Sequence, residues 1–174
     1  MSTTRLRDRI FAGLGALLFL VTASAFTIGV VIDMMKKKPV VCDIQTPEKS
    51  SIQAAPEVYK PQGVVKDLEK TDLVEGKGAM AKKGDCLVMK YQGNLASDGT
   101  VFDGNYNKAQ ALQFSLGQGQ VIKGWDEGLE GMKVGGTRRL AIPAAMGYGE
   151  GGQGAIPANA DLVFIVKLER IKTN

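Results

Sequence analysis

The side chains that run most enzyme chemistry are scarce in this chain. It has no histidine among its 174 residues. That removes Ser-His-Asp triads, HExxH zinc sites and Cys2His2 fingers together. Its two cysteines, Cys42 and Cys86, share no CxxC spacing, so a zinc ribbon and a thioredoxin motif are also absent. A disulfide between them stays open without support from their spacing; the other reading of Cys42 is a free thiol in a flexible tether. Carboxylates are scattered singly, with no glycosidase-like or metal-binding grouping. Gly147–Gly152 spells GxGxxG, but the dinucleotide site needs a strand before it and a helix after it, and further glycines and Pro157 follow instead. Gly119 and Gly124 have Walker-like spacing with Trp125 where a lysine would have to stand. What remains is Trp125, the single tryptophan, and the stretch that carries it.

Val121–Met132 reads as one short amphipathic helix. Trp125, Leu129 and Met132 fall at i, i+4 and i+7 on one face. Gly128 and Gly131 weaken it by about 1 kcal/mol each relative to alanine, and a helix this short does not stand alone. The elements that must cover Trp125 read as strands. Val64–Val74 supplies an irregular first strand. Leu87, Met89 and Tyr91 alternate with Val88, Lys90 and Gln92, a half-buried strand with Cys86 on the face opposite Tyr91. Asp98-Gly99 is a hairpin signal leading into Val101-Phe102-Asp103. Leu112, Phe114 and Leu116 share the next strand's face, Thr137–Ile142 is a strand stopped by Pro143, and Leu162, Phe164, Val166 and Leu168 line the last one. The fold class is therefore α+β, several antiparallel strands around one short helix.

Charge and composition divide the chain. Residues 1–9 form a basic tail, and Ile10–Ile32 is a run of 23 residues without a charge. A bilayer core needs about 20 helical residues, so 10–32 is expected to be a transmembrane anchor. The alternative is a signal sequence cleaved after Ala23-Ser24-Ala25, which would leave an exported soluble protein. Arg and Lys flank the run on both sides, so the positive-inside rule does not orient it. An extracytoplasmic C-terminal domain is the expectation. Residues 33–63 hold four of the six prolines and no apolar periodicity, and read as a semi-extended linker. The folded domain is placed at 64–174. The net charge of +4 divides into +3 over 1–63 and +1 over 64–174, which leaves the domain no charge argument for nucleic acid.

The ordered set Tyr91, Val101-Phe102-Asp103, Phe114-x-Leu116-Gly117, Val121-Ile122-x-Gly124-Trp125-x-x-Gly128, Met132-x-Val134-Gly135, Tyr148-Gly149, Ile156-Pro157-x-Asn159-Ala160 and Leu162-Val163-Phe164 resembles the FKBP-type peptidyl-prolyl isomerases. The likeness is close over 84–172 and loose in the first strand. It implies a curved antiparallel sheet wrapped over the short helix, preceded here by the N-terminal hydrophobic helix. It also implies a shallow apolar pocket floored by Trp125. By residue-by-residue carry-over, Tyr91, Phe102, Asp103, Trp125, Tyr148 and Phe164 would do the catalytic work, and Leu112, Val121, Ile122 and Ile156 would help bind substrate. Several positions depart from the familiar small members. Leu112 stands for an aromatic, Lys108 for an Arg partner of the acid, Gln120 for an acid and Gln153 for a His. Ala155 is smaller than its counterpart, and the loop over the site is one residue shorter. These changes bear on sequence preference and on affinity for macrolide inhibitors, which the same pocket would bind.

The implied activity is rotation about X–Pro bonds of polypeptides, with neither cofactor nor metal. Such rotation must break amide resonance against a barrier of about 18–20 kcal/mol, and it needs no nucleophile or acid–base pair. The rival class is a binding module that holds Pro-containing segments without turnover. Taken one by one, the residues also have plainer readings: Trp125 as core, Tyr91 and Tyr148 as ordinary buried tyrosines, Asp103 as a turn acid.

Overall fold

A computed structural model describes Cys42, residues 48–51 and residues 63–172. The expected anchor at 10–32 and most of the expected linker lie outside the described residues. Among the described residues no helix is long and apolar enough to cross a membrane.

The strands are β1 (Glu48–Lys49), β2 (Glu69–Val74), β3 (Cys86–Leu95), β4 (Val101–Gly104), β5 (Gln110–Ser115), β6 (Thr137–Ile142) and β7 (Leu162–Lys172); α1 (Lys123–Gly128) lies between β5 and β6. They form one antiparallel sheet in the order β1-β5-β3-β7-β6-β2, with β4 also paired to β3. The long strand β3 is the axis. One edge pairs with β7 from end to end, while the other meets β5 over Cys86–Met89 and β4 over Gln92–Asn94. The Asp98-Gly99 turn makes the β3–β4 hairpin: Gly99 has φ +78°, and the Asp98 carboxylate accepts the Thr100 N–H. β2 is exposed along its length and carries Glu69, Lys70 and Asp72, charges that discourage pairing at a free sheet edge.

The core lies between the sheet and α1. Leu87, Met89, Phe114, Leu140, Phe164, Val166 and Leu168 meet Trp125, Leu129 and Met132 there. The helix is shorter than the expected Val121–Met132 span. It ends at Gly128, and the chain turns through Leu129 to Gly131 at φ +80°. Leu129 and Met132 still reach the core, because the turn closed by the Met132 N–H on the Leu129 carbonyl keeps them on the Trp125 side. A Cβ on Gly124 would lie 2.5 Å from Ile142 Cγ2, and one on Gly128 would lie 2.9 Å from Leu140 Cδ2. The glycines that weaken the isolated helix are what let it press onto β6.

β3 corrects a second expectation. Its Val88, Lys90, Gln92 and Asn94 face is not solvated, and Lys90 is fully buried. The Lys90 ammonium donates to the carbonyls of Asn105 and Lys108 in the β4–β5 connection and of Gln110 at the start of β5, and this segment covers that face. Burial pulls the Lys90 pKa below its ordinary value, and Glu169 works against the shift. Further along, Cys42 and Cys86 form a disulfide, so Cys42 is not a free thiol. Within the proline-containing stretch 33–63, Glu48–Lys49 pairs with β5. The Ser50 N–H donates to the Ala109 carbonyl, and Arg170 donates to the Lys49 carbonyl.

Candidate active site

The sheet and helix leave one open hollow over the indole of Trp125, a cavity of about 160 Å³. Trp125 is its floor, 3% exposed, and Tyr91 from β3 and Phe164 from β7 stand against it. The Tyr91 and Phe164 rings meet the indole edge-on at centroid distances of 5.4 and 5.2 Å, and Phe102 meets Phe164 at 5.6 Å and 86°. Phe114 supports the indole from within the core at 5.7 Å. Such edge-to-face aromatic packing fixes ring positions beyond simple area burial. The indole N–H is buried and makes no hydrogen bond among the described residues.

Gly93 makes this box possible. A Cβ there would stand 2.6 Å from Phe102 Cζ and 2.7 Å from Phe164 Cε1. Glycine inside a strand is a recognised sign of such close approach, and it is the one signal in the sequence that points to Gly93.

The remaining walls come from the loop into α1. Val121 and Ile122 line the cavity with Leu112 from β5 and Tyr148 from the β6–β7 connection. Asp126 holds this loop in place: its two carboxylate oxygens accept the N–H groups of Gly117 and Gly119 at 2.8 and 2.9 Å. Gln120 lies at the rim, where its side-chain oxygen accepts the Ser115 N–H at 2.7 Å. Ile156 stands apart from the other expected binding residues. It is 8% exposed, packs into the core cluster and pairs its backbone with Gln153, and it does not line the cavity. Gln153 and Ala155 are likewise absent from the lining.

Polar groups gather at the rim. The Tyr91 hydroxyl donates to Asp103 Oδ2, and the Gly104 N–H donates to Asp103 Oδ1. Lys108, the expected basic partner of Asp103, makes no ion pair with it; its carbonyl instead accepts the buried Lys90 ammonium. Burial raises the Tyr91 pKa first, and the Asp103 hydrogen bond and charge raise it further. Tyr148 is raised by burial and then by Asp103. Its hydroxyl makes no hydrogen bond to another described residue. Both phenols are therefore protonated donors at neutral pH. Among the described residues no group of His, Cys, Asp and Glu could hold a metal.

The comparisons with known proteins fall on this same region. The family model described as FKBP-type peptidyl-prolyl cis-trans isomerase matches residues 77–169. "FK506-binding protein 2" of Aspergillus fumigatus is 50% identical over 105 residues, covering 60% of this chain and 78% of that protein. The Saccharomyces cerevisiae "Peptidyl-prolyl cis-trans isomerase FPR2" is 49% identical over 94 residues, covering 53% of this chain and 70% of that protein. For longer relatives, the matched stretch spans only 22–25% of their length. Among solved structures, the crystal structure of AtFKBP13 superposes with a TM-score of 0.56 at 37% identity, over 60% of this chain and 93% of that one. With the family model covering more than half of its 174 residues, the chain belongs to the FKBP-type peptidyl-prolyl cis-trans isomerases.

Proposed function

We propose that the cavity over Trp125 seats the prolyl ring of an extended polypeptide and speeds rotation about the preceding bond, assisting protein folding. The observation that carries this is the division of the site: an aromatic floor and walls built by Trp125, Phe164 and Phe102, with the polar groups of Asp103, Tyr91 and Tyr148 at the rim. In the planar amide, resonance places opposite partial charges on oxygen and nitrogen. At the twisted transition state that separation shrinks, so an apolar, water-poor seat favours the twisted form over the planar one. Only such differential stabilisation accelerates a reaction. Trp125 and Phe164 bury the ring. Tyr148, whose hydroxyl has no partner among the described residues, is placed to donate to a substrate carbonyl and fix its orientation. Asp103, held by Tyr91, presents a carboxylate to the rotating carbonyl as a dipole contact. Val121, Ile122 and Leu112 close the sides. The relatives' names make FK506 the inhibitor to try at the same seat.

The N-terminal run supports a tethered enzyme. We assign Ile10–Ile32 as a single membrane anchor, with residues 64–174 carrying the isomerase on the extracytoplasmic side. The Cys42–Cys86 disulfide favours that side, since such bonds persist in oxidising compartments. Full-length protein should stay with membranes through alkaline extraction; recovery of a soluble product beginning near Phe26 would instead establish signal cleavage.

The test of the site is the isomerisation rate on X–Pro peptides, with thermal unfolding alongside. Asp103→Ala removes an exposed polar group, so turnover should fall about tenfold, the loss of one contact of roughly 1.4 kcal/mol, while the melting temperature barely moves. Binding of Pro peptides by wild type with no rate above the spontaneous background would overturn the enzymatic reading in favour of a binding module.

A further inference from the structure

A second and larger cavity, of about 310 Å³, lies beside the prolyl seat. The two share Tyr91, Phe102 and Asp103, so β4 is the ridge between them. The far wall of the second cavity is Tyr106, Asn107 and Lys108. That wall is fixed without any ligand. The buried Lys90 ammonium holds the carbonyls of Asn105, Lys108 and Gln110. The Asn105 side chain accepts the Tyr91 N–H and donates to the Met89 carbonyl. A wall that is already ordered spares a ligand the entropy of ordering it.

The charges of the cavity are not equivalent. Both carboxylate oxygens of Asp103 already accept hydrogen bonds, from Tyr91 and from Gly104. Lys108 is exposed, and its ammonium has no ion-pair partner among the described residues. Asp103 keeps its negative charge while accepting from two uncharged donors, so the cavity has an anion on the β4 ridge and a cation, Lys108, on its far wall. An extended chain advances about 3.3 Å per residue, so with a proline on Trp125 a side chain one or two residues away crosses the β4 ridge.

We propose that this second cavity is a flanking-residue subsite, in which Lys108 selects polypeptides that carry an Asp or Glu within about two residues of the proline. This rests on the prolyl seat being where the preceding section puts it. The cavity's continuity with that seat and the charge of Lys108 commit it to an acidic segment of the same substrate rather than to a separate partner.

The experiment is kcat/KM on the full-length chain with peptides that keep one X–Pro core and place Glu, Gln or Lys one or two residues to either side. Wild type should prefer the Glu peptide to the Lys peptide by about two- to fivefold at one of these positions, the size an exposed ion pair gives. The preference should fade in 1 M salt, where charges are screened beyond about 3 Å. Lys108→Gln should abolish it and Lys108→Glu should reverse it. The wall is held through the Lys108 backbone carbonyl, which neither substitution removes. Equal rates for the three peptides in wild type, or a preference unchanged in Lys108→Glu, would overturn the subsite while leaving the prolyl seat standing. Failure of wild type to turn over even the Gln peptides would overturn the seat itself, and the subsite with it.

Discussion

Gly93 sets the tightest condition on the site. Phe102 and Phe164 occupy the volume its side chain would need, so Gly93→Ala must push at least one ring off its place. Overpacking of this kind costs about 1–3 kcal/mol. The displaced rings also form the walls of the seat, so kcat/KM should fall by more than about tenfold; wild-type rates in that variant would show that the rings yield freely and do not position substrate. The two phenols give a different test. Tyr91 and Tyr148 are both pushed above the ordinary value of 10, and the chain has no histidine. The rate should therefore be flat between pH 6 and 9, and a bell-shaped profile there would mean a titrating group carries the chemistry. Tyr91, Phe114, Trp125 and Phe164 were legible in advance, because strand alternation or helical spacing turns them inward, whereas Phe102 and Tyr148 were placed at the site only by the family resemblance. The burial of Lys90 was not legible. Alternation places it on the outer face, and only the segment 105–110 folding over that face, a contact between segments 15 to 20 residues apart, gives its ammonium three carbonyls.

Between elements, Arg138 is the joint. It is 7% exposed and donates twice to the Asp72 carboxylate on β2, at 2.7 and 3.0 Å. Its remaining N–H groups reach the carbonyls of Gly128 and Glu130, satisfying the C-terminal end of α1. One side chain thus ties β2, β6 and the helix that carries the Trp125 floor. Arg138→Met should destabilise the fold by about 2–3 kcal/mol, the scale of a charge-assisted hydrogen bond left without its partner. The acid range separates the pieces of that loss. The Arg138 hydrogen bonds hold the Asp72 pKa below its ordinary 3.8. A depressed carboxylate stabilises above its unfolded pKa, and that stabilisation is lost as pH falls through the folded value. The gap between wild type and Arg138→Met should hold steady above pH 4 and narrow below it. It should not close, since the contacts to Gly128 and Glu130 do not depend on Asp72. Denaturant midpoints at pH 5 and pH 2.5 measure this, and a gap independent of pH would remove Asp72 from the joint. At this scale β6 was legible to the residue, because Gly135-Gly136 and Pro143 mark both ends. The end of α1 was not, because apolar spacing continues through Met132 after the hydrogen-bonded helix has stopped.

At the scale of the molecule, the contacts of greatest consequence are those between distant parts of the chain. Asp161 accepts the N–H groups of Val65 and Ala144 and so holds the start of the domain against the loop after β6. The Cys42–Cys86 disulfide goes further, joining residues 44 apart in sequence. No spacing rule pairs these two cysteines; the pairing becomes visible only once β3 is seen to begin at Cys86, between the end of β7 and β5, the strand that receives β1. In the chain-entropy picture, a cross-link closing a loop of this length restricts the unfolded state enough to stabilise folding by up to about 4 kcal/mol. Part of that loop also makes native contacts of its own, through β1 and the hydrogen bonds of residues 49 and 50. Cys42→Ser should therefore lower the melting temperature of the full-length chain by several degrees, and reductant should do the same to wild type but nothing further to the variant. Isomerisation below the transition should be nearly unchanged in both cases, because Cys86 faces away from Trp125 and neither cysteine lines the prolyl seat. Equal melting temperatures with and without reductant would show that the bond contributes nothing to the fold. A loss of activity in Cys42→Ser at temperatures where it remains folded would show that the disulfide at the start of β3 is coupled to the seat.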